Sequence, residues 1–147
     1  MSTRETIVTT LLNLLDAASD VTVSSRQFKA FDEVAQGDFP YLILLQDREI
    51  FDTTMPEMGA AIGLHKMQFK VLLYALGDGT EDALPATALN NMVDSIEGAL
   101  RPLGLARTQN LGLPYVNWAF INGPVEYDGS AFGNFGIAVI PIEVAYS

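Results

Sequence analysis

A run of five consecutive apolar residues, Tyr41–Leu45, directly follows Pro40 and constrains the fold more than any other feature of the sequence. The run is too short for a typical helix and shows no alternation with polar residues, which is typical of a strand buried on both faces. Proline fits the first position of such a strand because no hydrogen bond of the ladder interior is lost there. The sequence therefore predicts a sheet that lies inside the domain.

Two other segments carry apolar residues at helical spacing. In Thr6–Ala18 they recur at spacings of four, three, one and three positions, and Ser2 or Thr3 is available as the N-cap. A second stripe predicts a helix over about Leu84–Leu100, which Arg101-Pro102 ends. The stripe residues are Ile7, Leu11, Leu14, Leu15 and Ala18 in the first helix, and Leu89, Met92, Val93, Ile96 and Leu100 in the second.

Further segments have the apolar or alternating pattern of strands. They are Val21–Ser25, Lys66–Leu76, Val116–Ile121 and Phe135–Tyr146. The last two are joined around the turn residues Asn122-Gly123-Pro124 and Asp128-Gly129. Pro141 lies inside the final segment and predicts an edge position or a bulge, because proline has no N–H to donate to a neighbouring strand.

The order of elements is helix, three strands, helix, two strands. It predicts one α+β domain over residues 1–147, with a single mixed or antiparallel sheet of about five strands and two helices packed on one face. A length of 147 residues suits one domain. With 49% hydrophobic and 18% charged residues, the composition excludes a disordered chain.

The segment between the second and third predicted strands, Asp47–Leu64, shows neither helical nor strand periodicity. It mixes charged residues with Phe51, Met55 and Met58, and Pro56 interrupts it. A connection of this length without structure of its own is uncommon in a compact domain and is usually functional or disordered. The sequence predicts a long mobile loop here, which is equally well explained as an interface or as a solvated flap.

The charge balance excludes two classes of partner. Eight basic and 18 acidic residues give a net charge of −10 and a pI near 4.2. Such a chain lacks the basic footprint that nonspecific nucleic-acid binding and anionic membranes require. No apolar run approaches the roughly 20 residues of a transmembrane helix, and residues 1–5 do not open a signal peptide.

No motif in the sequence indicates catalysis, a cofactor or a metal. The chain has no cysteine and one histidine, His65, which excludes thiolate and paired zinc sites and favours a packing or surface role. Asp78–Asp82 lacks the ligand spacing of a calcium loop and is better explained as a turn before a helix. The glycines of Gly129–Gly136 have the wrong spacing for a dinucleotide fingerprint.

Several short sequence segments occur in a definite order along the whole chain. They are the helix Ile7–Ala18, a strand and turn with Arg26 and Phe28, Phe39–Leu45, Gln46–Glu49, Phe69–Tyr74, Ile96–Pro102 and Ala138–Val144. In the order and local sequence of these segments, the chain resembles the tail terminator proteins of long-tailed bacteriophages, the family of minor tail protein U.

The resemblance implies a homo-oligomeric ring, typically a hexamer, that caps the tail tube, ends tube polymerisation and forms the head-joining surface. The implied partners are further copies of the chain, the tail tube protein and a head–neck connector protein, with DNA only passing through the lumen. The implied location is the virion tail, and the host cytoplasm during assembly. In this family the loop that corresponds to Asp47–Leu64 is mobile in the free subunit and ordered in the ring.

Within that loop we expect Arg48 and Glu49 to make polar contacts between subunits, and Phe51 and Met55 to be apolar anchors. A neck or head-completion ring protein is a close alternative. A small-molecule binding domain with the loop as a lid is a second alternative, and a hydrolase that uses two carboxylates is a third. The first two alternatives would place the same loop over a partner or a ligand.

Overall fold

The computed structural model describes residues 2–52, 63–77, 85–102, 108–132 and 135–147. Within these residues the chain forms two α-helices and six strands. The elements are α1 (Thr3–Ser19), β1 (Val23–Ser25), β2 (Tyr41–Asp52), β3 (Leu64–Leu76), α2 (Pro85–Ala99), β4 (Val116–Ile121), β5 (Glu126–Phe132) and β6 (Phe135–Tyr146). Two 3₁₀ turns, Phe31–Glu33 and Gln36–Asp38, lie between β1 and β2.

The strands form one sheet in the order β1-β2-β3-β6-β4, and β5 also pairs with β6. The β1–β2 pair is parallel and all other pairs are antiparallel. The predicted α+β class with a mixed sheet is therefore confirmed. The sheet has six strands instead of about five, because β5 was not predicted.

The unpredicted strand β5 contains Asp128 and Gly129, which were predicted to form a turn. Glu126, Tyr127 and Asp128 pair with Val139, Ala138 and Ile137 of β6. The register then shifts between Asp128 and Phe132. An Asp-Gly pair is compatible with such an irregularity in a ladder as well as with a turn.

Pro141 does not lie on an edge strand, which corrects one of the two predicted positions. β6 is central, with β3 on one side and both β4 and β5 on the other. The carbonyl of Pro141 accepts the Asn122 N–H at 2.9 Å, on the side of β6 where β4 and β5 pair. The N–H and C=O of one residue in a strand point to the same side, so the N–H that proline lacks would also point there. At this position no ladder bond is lost, because Pro141 lies at the gap between β4 and β5. Gly123 lies across this gap with φ +127°, and a Cβ there would stand 3.2 Å from the Pro141 ring.

The helices pack on one face of the sheet, as predicted. Ser2 caps α1, and its Oγ accepts the Glu5 N–H at 3.1 Å. The buried residues between helices and sheet include Ile7, Leu11, Leu15, Leu89, Ile96, Leu42, Leu44, Met67, Phe69, Val71, Ile140 and Val144. This cluster is the main core of the domain.

The other face is partly covered by the segment between β1 and β2, which contains the two 3₁₀ turns. Val34 packs there with Tyr41, Ile43 and Tyr74 in a second buried cluster. The Tyr74 hydroxyl donates to the Lys29 carbonyl at 2.7 Å, and burial raises the pKa of that hydroxyl. The predicted burial of the Tyr41–Leu45 run on both faces is confirmed for its first four residues; Leu45 is half-buried.

The predicted loop Asp47–Leu64 is shorter than the sequence indicates. β2 extends to Asp52 and β3 begins at Leu64, and the two strands stay in register from Arg48 to Asp52. Hydropathy did not predict this extension because most of its side chains are exposed and a bulge between Gln46 and Arg48 shifts the alternation. Residues 53–62 lie outside the described residues, and mobility there remains a prediction.

Candidate interaction surface

The outer half of β2 has a partner strand on one side only. β1 pairs with Tyr41–Ile43 and then ends, whereas β2 continues to Asp52. Among the described residues, no strand pairs with the outer side of Gln46–Phe51. We call this side of Gln46–Phe51 the free β2 edge. Unpaired edges present backbone N–H and C=O groups that another chain can bind.

On the helix face, Glu49 is held by the start of α1. The Nε of Arg4 donates to Glu49 Oε1 at 2.9 Å, and its Nη2 donates to Oε2 at 2.8 Å. These charge-assisted bonds lower the pKa of Glu49 below its ordinary value. The carboxylate that we expected to contact a neighbouring subunit is therefore bound within its own.

A second bidentate pair lies beside the first. Arg26 donates to both carboxylate oxygens of Glu5 at 2.7 and 3.0 Å, and to Gln46 Oε1 at 3.1 Å. The Arg26 bonds lower the pKa of Glu5. Arg4 and Arg26 thus tie α1 and the segment after β1 to two positions of the free β2 edge.

His65 fills the space between Phe51 and Tyr146 at the end of the sheet. Its ring stacks on Tyr146 with centroids 4.8 Å apart and meets Phe51 edge-on at 4.8 Å. Its Nδ1 lies 3.5 Å from Glu49 Oε2 and has no hydrogen-bond partner among the described residues. The single histidine therefore packs between two aromatic rings. Burial at this position raises the pKa of the Tyr146 hydroxyl.

The opposite face carries a polar cleft of about 180 Å³. Arg48 Nε donates to Gln68 Oε1 at 2.6 Å at one side of this cleft. At the other side the buried Glu143 accepts the Trp118 indole N–H at 2.9 Å and the Asn122 amide at 3.2 Å. Within the described part of the chain, Arg48 forms no ion pair.

Large exposed apolar side chains concentrate on the strands that border the sheet. Those described are Phe28, Ile50, Phe51, Phe120 and Tyr127. Ile50 and Phe51 lie on the free β2 edge, and Tyr127 lies on β5. The outer side of β4 is already bonded, since Ala119 N–H donates to the Gln109 carbonyl at 2.8 Å and Thr108 Oγ1 donates to the Asn117 carbonyl.

The three predicted interface residues that the structure describes, Arg48, Glu49 and Phe51, share a strand but not a face. Arg48 points to the polar cleft, whereas Glu49 and Phe51 point to the helix face. Phe51 is 58% exposed, and Met55 lies outside the described residues. Ile50 and Tyr127 were not predicted as surface residues from the sequence, because their exposure depends on which strands border the sheet and local hydropathy does not show this.

The described residues show neither a metal cluster nor a membrane span. No group of three or more His, Cys, Asp or Glu side chains in the described ranges is placed to hold a metal ion. No helix of this part of the chain is long and apolar enough to cross a bilayer.

The fold has a counterpart among solved structures. A chain in the structure of the virion of a native gene transfer agent particle superposes with a TM-score of 0.56 at 12% sequence identity. The match covers 95% of this chain and 90% of that chain. No protein-family model and no curated protein matches the sequence. The two chains share a fold over nearly their whole lengths.

Proposed function

We propose that this protein is a structural component of a phage-like particle, and that it forms the ring that caps the tail tube. The observation that carries the proposal is the shared fold with a chain of a gene transfer agent virion, which extends over 95% of the chain. The order of elements and the phrases of sequence that resemble the tail terminator family support the same class of function.

The surface of the subunit supports an assembly role. The free β2 edge carries two large exposed apolar residues, Ile50 at 41% and Phe51 at 58%. Exposed apolar residues on an unpaired strand edge promote aggregation of a monomer, and in an assembly they can be buried against a neighbouring chain. In this proposal Arg48, Glu49, Phe51 and Met55 contact the neighbouring copy, and Glu49 also holds Arg4 and α1 in place beside them.

The proposed assembly is a homo-oligomeric ring of about six copies, whose partners are the tail tube protein and a head–neck connector protein. DNA passes through its lumen without specific contacts. A net charge of −10 per chain suits that role, because an acidic wall repels the phosphate backbone. A basic inner wall in the assembled ring would contradict this part of the proposal.

Electron microscopy of the purified protein, with and without polymerising tail tube protein, tests the proposal. We expect closed rings at high protein concentration, and tubes that stop growing once the protein is added. A ring that leaves tube length unchanged and binds only the connector would assign the chain to the neck instead. A monomer at every concentration, stabilised against heat by a small ligand, would show that the protein is a binding domain with a lid.

A further inference from the structure

We propose that Asn122 is a site of spontaneous deamidation, at which water converts the side-chain amide into a carboxylate without an enzyme. The proposal concerns the pair Asn122-Gly123 and does not depend on whether the protein forms a ring. Two observations support it: the residue that follows Asn122, and the exposure of both residues. A third, the contact between the Asn122 amide and Glu143, defines the consequence for the fold.

The first observation is that Asn122 is the one asparagine of the chain that a glycine follows; the six others precede larger residues. Asparagine is among the thermolabile residues of proteins. It deamidates when the backbone nitrogen of the next residue attacks its side-chain carbonyl, and a side chain on that next residue hinders the attack. Glycine has no side chain and the freest backbone, so the attack is least hindered at Asn122.

The fold itself requires this glycine. Gly123 has a φ of +127°, a backbone conformation that residues with a side chain rarely adopt. A Cβ at this position would also lie 3.2 Å from Cγ of the Pro141 ring. The turn at the gap between β4 and β5 therefore keeps a glycine directly after Asn122.

The second observation is that both residues are open to solvent. Asn122 and Gly123 lie between the end of β4 and the start of β5, and both are exposed. The Asn122 N–H donates to the Pro141 carbonyl at 2.9 Å, whereas the Gly123 N–H has no hydrogen-bond partner among the described residues. A base from solvent can therefore reach the N–H that must lose its proton.

The reaction takes place in two steps. A base from solvent removes the proton of the Gly123 N–H, and this nitrogen forms a bond to Cγ of Asn122. The bond between Cγ and Nδ2 breaks, Nδ2 takes up a proton and leaves as ammonia, and a succinimide ring remains. Water then opens the ring at either of its carbonyl groups. The products are aspartate at position 122 and isoaspartate, in which the backbone passes through the former side chain.

The third observation is the contact with Glu143. The Asn122 amide donates to Oε1 of this buried carboxylate at 3.2 Å, and the Trp118 indole donates to Oε2 at 2.9 Å. Aspartate at position 122 would replace the amide donor with an ionised carboxylate, which only accepts hydrogen bonds. Deamidation would thus remove one bond to Glu143 and place a second negative charge beside it.

Mass spectrometry of the purified full chain tests the site. After incubation at mildly alkaline pH, fragment spectra are expected to locate the mass change from amide to acid at Asn122. Asn117 is the internal control, because it is also exposed but is followed by Trp118. Conversion is expected to be faster at higher pH, since the Gly123 nitrogen must lose its proton. An Asn122 amide that persists as long as the Asn117 amide would overturn the proposal.

Two variants separate the chemistry from its consequence. Asn122→Gln keeps an amide, but its longer side chain would have to close a larger ring, so its mass is expected to stay unchanged. Asn122→Asp makes the aspartate product directly. It is expected to raise the equilibrium constant for unfolding by about tenfold or more, because a hydrogen bond to a charged acceptor is lost. Its tryptophan emission is expected to change as well, through Glu143.

Comparison of incubated and fresh protein completes the test. Incubated protein is expected to approach the Asn122→Asp variant in urea unfolding and in tryptophan emission, whereas incubated Asn122→Gln keeps its initial values. Deamidation at Asn122 that leaves both properties unchanged would show that the amide does not hold Glu143 and would overturn the consequence drawn here. Deamidation confined to Asn122, together with the loss of stability, would establish the site and its effect.

Discussion

The guanidinium of Arg4 binds both carboxylate oxygens of Glu49, a residue 45 positions away in the sequence. This pair joins the first turn of α1 to the outer half of β2. Glu49 also lies 3.5 Å from His65, whose ring packs between Phe51 and Tyr146. Through Glu49, α1 is therefore connected to the exposed end of the sheet.

Glu49→Gln is expected to lower the melting temperature at pH 7 and to lower it by less at pH 3. The pKa of Glu49 is lowered in the folded state by the Arg4 bonds, so its stabilisation is present above the unfolded pKa of about 4.3 and is lost as the pH falls through the folded value. Thermal unfolding of both proteins across this pH range measures the difference. Asp94→Asn, an exposed change on α2 outside both ion pairs, is the matched control, and an equal loss for Glu49→Gln at both pH values would contradict the prediction.

Gln109→Ala is expected to destabilise the fold by about 1–3 kcal/mol. The buried Gln109 amide donates to the carbonyls of Ala99 and Arg101 at 3.1 and 3.0 Å, and its Oε1 accepts the Leu111 N–H at 2.9 Å. These bonds cap the end of α2. Urea unfolding measures the loss; Asn110→Ala, which removes one exposed bond to Gly112, is expected to cost less. Equal costs for the two variants would show that the cap is unimportant.

Glu143→Ala is expected to cost about 1–3 kcal/mol and to change the fluorescence of the single tryptophan. The buried carboxylate accepts from the Trp118 indole and the Asn122 amide, and the substitution removes the acceptor of both. Emission spectra and urea unfolding report the two effects together. Glu126→Ala, an exposed change, is expected to stay within about 0.5 kcal/mol and to leave the emission unchanged.

Phe51→Asp is expected to leave the monomer folded and to abolish the ring. Phe51 is 58% exposed in the single chain, so little core packing is lost, while a carboxylate on the free β2 edge opposes burial by a neighbour. Circular dichroism and sedimentation measure the two properties separately. Phe28→Asp is the matched control, since Phe28 is also 58% exposed but lies outside the sheet. Loss of folding in Phe51→Asp would place Phe51 in the core instead.

The buried parts of the fold could be predicted from the sequence, and the exposed parts could not. β4 and β6 have the predicted bounds, Val116–Ile121 and Phe135–Tyr146, because their apolar content reflects burial directly. Gln46–Asp52 escaped prediction because an exposed edge strand shows no hydrophobic period. β5 escaped because Asp128-Gly129 carries the local signal of a turn while the ladder with β6 determines its conformation.

For the candidate surface, the sequence predicted the segment of the chain that contributes to it, but not the face on which each side chain lies. Arg48, Glu49 and Phe51 were expected to act together, and the structure divides them between two faces of one strand. Arg4, which binds Glu49, belongs to this surface through a long-range contact alone. Such relationships depend on strand order, which a single sequence does not display.

The central position of β6 also determines when the domain can fold during synthesis. Because β3, β4 and β5 all precede β6 in the chain, they leave the ribosome before the strand that joins them. Before β6 is made, β1, β2 and β3 can pair with one another, but β4 and β5 have no strand of the sheet to pair with. A product that ends before β6 would therefore lack the strand that joins the two halves of the sheet, and we expect it not to reach the native fold.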